Sequence, residues 1–308
     1  MTPETLRNQL KQEAVRVETF LSVCLGLLPN LPLGLRAAMD YSLLAGGKRL
    51  RPVLCVTFAR AFGQGPACCS IDDAVMPFAA AIECIHTYSL IHDDLPAMDN
   101  DDMRRGKPSN HKQFDEATAI LAGDALLTDA FSFMASVGGK IPAERVLAAI
   151  ACMAAAAGGS GMVGGQFLDI RYTQAKTADL GELRAMHAMK TGALITASCV
   201  SGAILGGADA NAQKAVAGYG KSLGAAFQIM DDVLDETGDP ALLGKPVGSD
   251  AANEKPTYPS LLGLEKSRAL AREEAEKAIA ALPDTGPGTG NETAFLHALA
   301  RYVVDRNT

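Results

Sequence analysis

The stretch IDDAVMPFAAAIECIHTYSLIHDDLPAMDNDDMRRG, residues 71–106, decides the fold prediction because an apolar helix in it runs directly into aspartates. The part from Ile71 to Leu95 is apolar nearly all round, which indicates burial in the middle of a large bundle or at a subunit interface. The segment from Ala117 to Ala135 has the same character. Charges at the end of a buried helix need an explanation, so the aspartates from Asp93 onward form the first candidate site.

Helical spacing of apolar residues recurs along almost the whole chain, with breakers such as Pro29–Pro32, Gly138–Pro142 and Gly158–Gly165 between the segments. Alanine, leucine and methionine are abundant and β-branched clusters are scarce, which favours helix over sheet. The sequence therefore predicts an all-α fold with roughly ten or more helices and no convincing strand. These helices are expected to form one large helical bundle, a single domain over residues 1–308.

Composition and charge exclude several kinds of partner. The formal net charge of −7 provides no global basic field for nucleic acid, so local basic residues or bound cations must hold any anionic ligand. The seven cysteines form no CxxC pair, which is typical of buried thiols in a reducing compartment. The N-terminus lacks a signal-peptide pattern, and no apolar segment looks long and continuous enough to span a bilayer. We therefore expect a cytoplasmic protein without a membrane span.

The first acidic cluster contains Asp93, Asp94 and Asp99. A lone Asp-Asp pair after a helix is typical of a solvated loop, but here the preceding helix is buried rather than polar. An EF-hand calcium loop that starts at Asp99 is excluded, because its sixth position is Arg104 rather than Gly and its twelfth is Asn110 rather than Glu.

The second acidic cluster contains Asp231 and Asp235, whose spacing of four places both carboxylates on one face of a helix. Like charges at this spacing repel, so a cation is the natural partner, and oxygen ligands without His or Cys nearby suit Mg²⁺. Two such clusters indicate two facing walls of a pocket. Magnesium bound between them would make a diphosphate a good leaving group, and apolar walls would shield an allylic carbocation from water.

Basic residues gather elsewhere, above all in GGKRLRP, Gly46–Pro52, which has three cations in four positions at a helix start. Cations there oppose the helix dipole, and an anionic ligand would resolve the conflict. His86 lies two turns before Asp93 on almost the same face, so both a core role and a ligand contact stay open. The other candidate phosphate contacts are Arg104, Arg105, Lys190, Lys245 and Lys255.

The ordered set of motifs resembles the trans-prenyltransferase (polyprenyl synthase) family, with the bacterial farnesyl diphosphate synthases as the most similar branch. The resemblance runs from about Tyr41 to Gly263. The pieces that carry it are GGKRLRP (46–52), CIHTYSLIHDDLPAMDNDDMRRGKPS (84–109), AILAGDALLT (119–128), GGQFLDI (164–170), MKTGALI (189–195), FQIMDDVLD (227–235) and TYPSLLG (257–263). One departure from the family pattern is Glu254-Lys255-Pro256. Lys255 is therefore the residue whose role is carried over from the family with the least agreement in sequence.

The resemblance implies an isoprenoid-synthase fold of about a dozen helices around a deep central cavity, usually as a homodimer. It implies that Mg²⁺ is bound by Asp93 and Asp99 with Asp94 close by, and by Asp231 and Asp235. It assigns isopentenyl diphosphate to Lys48, Arg51, His86 and Arg105, and the allylic diphosphate (dimethylallyl or geranyl) to Arg104, Lys190, Lys245 and Lys255. Thr191 and Gln228 would stabilise the carbocation.

The implied product is farnesyl diphosphate, with Tyr88 as the floor of the cavity that limits chain growth. Other functions remain as alternatives. A geranylgeranyl diphosphate synthase would use the same chemistry with a longer product. A His/Asp metal phosphohydrolase built on His92 and Asp93 would need further His ligands. A terpene cyclase has no need of GGKRLRP, and a non-catalytic partner subunit usually loses one of the two aspartate clusters.

Overall fold

The computed structural model describes residues 1–63, 66, 68–175, 178–238, 255–282 and 290–305, and Lys245 lies outside them. These residues form helices almost throughout, which confirms the predicted all-α class. The helices are α1 (Pro3–Cys24), α2 (Leu33–Leu43), α3 (Leu50–Phe62), α4 (Ile71–Asp93), α5 (Asn110–Gln113), α6 (Glu116–Ser136), α7 (Ala143–Ala157), α8 (Met162–Ala175), α9 (Leu180–His187), α10 (Ala193–Gly206), α11 (Ala210–Thr237), α12 (Tyr258–Leu262), α13 (Leu264–Ala281) and α14 (Gly290–Asp305).

Local capping explains where the two apolar helices begin. The Ser70 side chain accepts a hydrogen bond from the Asp73 N–H at the start of α4, and Asp115 accepts one from the Thr118 N–H at the start of α6. The two helices then pack along each other, and α3 packs on α4 and on α10. Helices α3 and α10 approach closely at Gly202, where a Cβ would lie 2.1 Å from the Cys55 carbonyl oxygen. This packing holds α4 in the core.

At two places the described residues depart from regular α-helix. A small antiparallel hairpin, β1 (Met103–Arg104) and β2 (Lys107–Pro108), follows the first acidic cluster, so the expectation of no strand is wrong at this point. Its two turn residues, Arg105 and Gly106, both have positive φ, as tight two-residue hairpin turns require. The other feature is a π-helical turn, Ala188–Gly192, between α9 and α10.

In the part of the chain that the structure describes, four helical stretches are long and apolar enough to cross a membrane when judged by length and composition alone: 71–93, 116–139, 143–173 and 180–206. The expectation that no apolar segment has this length is therefore wrong. In the stretch 143–173 the glycines after Ala157 interrupt the helix only briefly, because α8 starts again at Met162. Of the most apolar window in 71–93, 78% is buried inside the bundle, so packing accounts for its composition.

Candidate active site

One cavity of about 400 Å³ brings together residues that are far apart in the sequence. Its apolar wall includes Met162, Phe167 and Ile170 of α8, together with Met98 after α4. Six of the predicted site residues also line it: Arg51, His86, Tyr88, Asp93, Lys190 and Thr191. An apolar cavity with both signs of charge at its wall is the kind of site that binds a molecule with an apolar tail and a charged head.

The basic side of the site is built by Arg51, His86 and Arg105. Burial holds the pKa of His86 well below its usual range, and the charges of Arg51 and Arg105 lower it further. Burial also lowers the pKa of the Arg51 guanidinium, while Glu83 and Asp231 act in the opposite direction. The Nε of Arg51 is buried and has no hydrogen-bond partner among the described residues. Concentrated positive charge with an unused donor favours an anionic ligand.

The acidic side of the site centres on Asp93. Burial raises the pKa of Asp93 to about 6, the Lys190 charge opposes this, and the like charge of Asp99 adds to the shift. A cation beside these carboxylates would relieve both the repulsion and the burial cost. Arg51, Asp93 and Lys190 line the same cavity, so acidic and basic predicted residues face one space.

The structure separates the roles of the adjacent aspartates. Arg104 Nε donates to both carboxylate oxygens of Asp94 at 2.7 Å, and Asp94 is 1% exposed. Asp94 is therefore held in a buried ion pair, which differs from the predicted metal-ligand role. Arg104 also approaches Asp101 at 3.6 Å, so the predicted allylic diphosphate contact is engaged with carboxylates in this structure.

In the second acidic cluster, the middle aspartate connects two helices. Asp232, 5% exposed, accepts hydrogen bonds from Gln228 Nε2 and from the Tyr258 N–H, both at 3.0 Å. Gln228 Oε1 in turn accepts a hydrogen bond of 2.7 Å from the Thr191 hydroxyl. This chain brings the two residues predicted to stabilise a carbocation into contact, and because the Thr191 proton is donated, its oxygen lone pairs remain free to act as acceptors. Asp231 and Asp235 occupy the same helix, α11.

The sequence prediction missed Asp169, a residue of the GGQFLDI stretch to which no role had been assigned. Asp169 is 8% exposed and accepts a hydrogen bond of 2.5 Å from Lys190 Nζ. Lys255 lies 3.9 Å from Asp169 and 3.6 Å from Asp99. Both amide atoms of Gln166, one helical turn before Asp169, are buried without a partner among the described residues. The sequence signal that could have identified them is a carboxylate and an amide side chain, Asp169 and Gln166, among the apolar residues of one helix.

Several of the predicted basic residues do not line the cavity of Asp93: Arg104 and Arg105 line a small space with Asp94, and Lys48 lies elsewhere. It lines a separate cavity of about 320 Å³ beside α1 and α14, with Glu18 and Tyr302 among its neighbours. A larger cavity of about 920 Å³ adjoins the π-helical turn at Ala188 and Met189, and none of the predicted site residues with described positions lines it. The chemistry predicted from sequence is therefore concentrated at the cavity that contains Asp93.

Tyr88 and His92 form an aromatic pair at the cavity wall. Their ring centroids lie 5.7 Å apart at 83°, an edge-to-face arrangement. His92 Nε2 lies 3.1 Å from the Ile120 carbonyl oxygen of α6. A Cβ on Gly123 would come within 2.1 Å of His92 Nε2, so this glycine leaves the space that the imidazole occupies. The position of the Tyr88 ring thus depends on α6 through His92.

The donor set suits a hard cation that is shared with a substrate. Asp93 and Asp99 supply carboxylate oxygens, the ligand type that Mg²⁺ prefers. Among the described residues, no three acidic, His or Cys side chains converge closely enough to hold a metal ion alone. Magnesium usually keeps several waters and takes one or two carboxylates plus substrate phosphates, so the residues present fit such an ion.

Fold and site together define a mainly helical protein with an apolar cavity that has acidic and basic residues at its wall. A model of the Polyprenyl synthetase family matches residues 33–286. The farnesyl diphosphate synthase of Geobacillus stearothermophilus is 49% identical over 86% of this chain and 86% of its own length. The chloroplastic geranylgeranyl pyrophosphate synthase of Catharanthus roseus is 42% identical over 91% of this chain and 76% of its own.

Solved structures show the same relationship. A geranyltransferase from Helicobacter pylori, complexed with magnesium and isoprenyl diphosphate, superposes with a TM-score of 0.83 at 31% identity and covers 99% of both chains. The chain belongs to the polyprenyl synthetase family and is a prenyltransferase.

Proposed function

We propose that this protein condenses isopentenyl diphosphate with dimethylallyl and geranyl diphosphates to make farnesyl diphosphate. The observation that carries the proposal is the cavity in which Arg51 and His86 face Asp93 and Lys190 above an apolar interior. Two diphosphates with apolar tails match two charged zones and one apolar space. The relatives named farnesyl diphosphate synthase support this product.

Different side chains bind the two substrates and stabilise the carbocation. Arg51, His86 and Arg105 bind the isopentenyl diphosphate. Lys190 and Lys255 bind the allylic diphosphate, whose negative charge grows as its bond to the allylic carbon breaks. Asp93, Asp99, Asp231 and Asp235 would hold Mg²⁺, which would supply positive charge to neutralise that developing charge. Thr191 and Gln228 direct oxygen dipoles at the carbocation, a preorganised interaction. The isopentenyl double bond then attacks, and a proton is lost to the released diphosphate.

We also propose a homodimer in the cytoplasm, made of single-domain subunits. Helix α6 supports the dimer, because only 39% of its most apolar window is buried, and Ile120 and Leu121 are exposed large apolar residues on it. An exposed apolar face on an otherwise packed bundle favours a subunit contact. Sedimentation velocity should show a dimer, and charged substitutions at both residues should give a monomer.

Product analysis tests the proposed function. Purified protein with dimethylallyl and isopentenyl diphosphates and Mg²⁺ should give mainly the fifteen-carbon product after dephosphorylation and chromatography. EDTA should abolish turnover, and added Mg²⁺ should restore it. A mainly twenty-carbon product would favour the geranylgeranyl alternative, which the Catharanthus relative supports. Full turnover in metal-free buffer would contradict the proposed mechanism.

A further inference from the structure

The middle cation of the GGKRLRP stretch points into the protein rather than toward a ligand. The Arg49 side chain is 0% exposed, and its Nη1 donates to Glu83 Oε1 at 2.7 Å. Its Nη2 donates to the Leu43 carbonyl oxygen at 2.8 Å, and its Nε lies 3.4 Å from Glu18. The Glu83 side chain is 3% exposed. A fully buried guanidinium with three acceptors is held in one position.

The backbone at Arg49 shows why such an anchor is needed. Arg49 stands immediately before α3 with φ 48° and ψ 33°, the left-handed region that a residue with a Cβ rarely adopts. Gly46 and Gly47 also have positive φ, at 84° and 138°. A segment in this conformation persists only when its surroundings determine it, and the Arg49–Glu83 pair supplies that constraint from α4.

The same segment presents the proposed isopentenyl diphosphate contacts. Arg51, which lines the cavity, follows Arg49 in the first turn of α3. Arg105 donates to the Gly46 carbonyl oxygen, and a Cβ on Gly47 would lie 3.0 Å from the Arg105 guanidinium. A shift of the segment would therefore move Arg51 relative to Arg105.

Glu83 is placed to hold the segment without occupying the ligand donors. It lies on α4 one turn before His86, so it comes from the same helix that carries His86 and Asp93. Its carboxylate takes the hydrogen bond of Arg49, while the Arg51 Nε has no partner among the described residues. The ion pair thus fixes the loop and leaves the Arg51 donor available.

We propose that Arg49 and Glu83 are positioning residues that set the geometry of the isopentenyl diphosphate subsite without touching the substrate. The proposal rests on the proposed function, because it assumes that Arg51 and Arg105 bind that diphosphate. The ion pair acts on the alignment of the cations, not on their number.

Arg49→Lys separates alignment from charge, because lysine keeps the charge but loses the planar fork that joins Glu83 to Leu43. We expect the KM for isopentenyl diphosphate to rise about tenfold, while the KM for geranyl diphosphate and kcat stay within about twofold. Glu83→Gln is the second variant and should raise the same KM. Calorimetric titration of isopentenyl diphosphate alone should show the matching loss of affinity.

Arg60→Lys is the matched control. Arg60 also joins α3 to α4, with hydrogen bonds of 2.7 and 3.1 Å to Asp72, but it is far along α3 from Arg51 and outside the cavity. Arg60→Lys should lower the Tm and leave both KM values unchanged. A purely structural role of Arg49 would give the same result as this control.

Two outcomes would overturn the inference. In the first, folded Arg49→Lys loses thermal stability like the control but keeps the wild-type KM for isopentenyl diphosphate. In the second, Glu83→Gln lowers that KM, which would mean that Glu83 only weakens the positive field. Absence of condensation by the wild type is a different result, because it would contradict the proposed function itself.

Discussion

Arg104 Nε lies 2.7 Å from both carboxylate oxygens of Asp94, whereas the neighbouring Asp93 lines the apolar cavity. Two adjacent aspartates in one motif thus have different surroundings. Asp94 is neutralised inside the protein by an arginine, whereas Asp93 is half-buried, and this partial burial together with nearby like charges raises its pKa to about 6. The two residues should respond differently to the same substitution.

The first prediction compares Asp93→Asn with Asp94→Asn. Asp93→Asn should lower kcat by orders of magnitude and keep the Tm near the wild-type value, because it removes a half-buried charge that repels Asp99. Asp94→Asn should cost about 1–3 kcal/mol of unfolding free energy, because Arg104 loses its charged partner. Urea unfolding and steady-state rates check both, and equal effects of the two variants would contradict the assignment.

The second prediction concerns the two basic residues on either side of Arg49. Arg51 lines the cavity with Asp93, whereas Lys48 lines a different one. Arg51→Lys should therefore raise the KM for isopentenyl diphosphate much more than Lys48→Arg does, and neither should change the KM for geranyl diphosphate strongly. Initial rates with each substrate varied in turn give the comparison. A similar rise for both substrates would mean that the basic subsite is wrongly assigned.

The third prediction concerns product length. Tyr88, 6% exposed, lines the cavity and packs edge-to-face on His92. Tyr88→Ala should open the space beside α4 and shift the products toward twenty carbons or more, with the first condensation little changed. Chromatography of dephosphorylated products measures the distribution.

Two further variants sharpen this test. Gly123→Ala should also alter the distribution, because its methyl group displaces the His92 ring on which Tyr88 packs. Phe20→Ala is the control, since it removes a half-buried ring outside the cavity. If Tyr88→Ala leaves the distribution unchanged, the chain-length limit lies elsewhere.

The fourth prediction concerns stability and pH. Burial lowers the pKa of His187 to about 4, with Asp169 acting in the opposite direction, while an unfolded histidine titrates near 6.5. The unfolded state therefore binds more protons between these values, so this stabilisation is complete above pH 6.5 and is lost as the pH falls toward 4. Between pH 7 and 5 the loss should be about 2 kcal/mol.

His187→Gln should remove that share of the pH dependence, measured as the difference from wild type in urea unfolding at the two pH values. The comparison with wild type is needed because Asp93, whose pKa is about 6, also titrates in this range. Its protonation changes the free energy of unfolding in the opposite direction. His297→Gln on α14 is the matched control and should follow the wild type. Parallel curves for His187→Gln and wild type would show that the His187 environment opens on acidification.

The two apolar helices and the charged motifs of this protein could be predicted from its sequence. The predicted apolar helices, 71–95 and 117–135, correspond to α4 (Ile71–Asp93) and α6 (Glu116–Ser136) within two residues at each end. Apolar residues on all faces and a capping side chain are properties of neighbouring residues, so they need no knowledge of the fold. The same locality explains why both acidic clusters and the basic GGKRLRP segment could be recognised from their spacing.

Only the tertiary structure decided which charges pair with which. Arg49 and Glu83 are 34 residues apart, and Lys190 and Asp169 are 21 apart, so no local pattern connects them. Local spacing alone showed three cations at the start of α3 and two adjacent aspartates at the end of α4, without their partners. Folding made Arg49 and Asp94 structural and left Arg51 and Asp93 at the cavity, because a buried charge must find an opposite charge and only the packing of the helices determines where that charge lies.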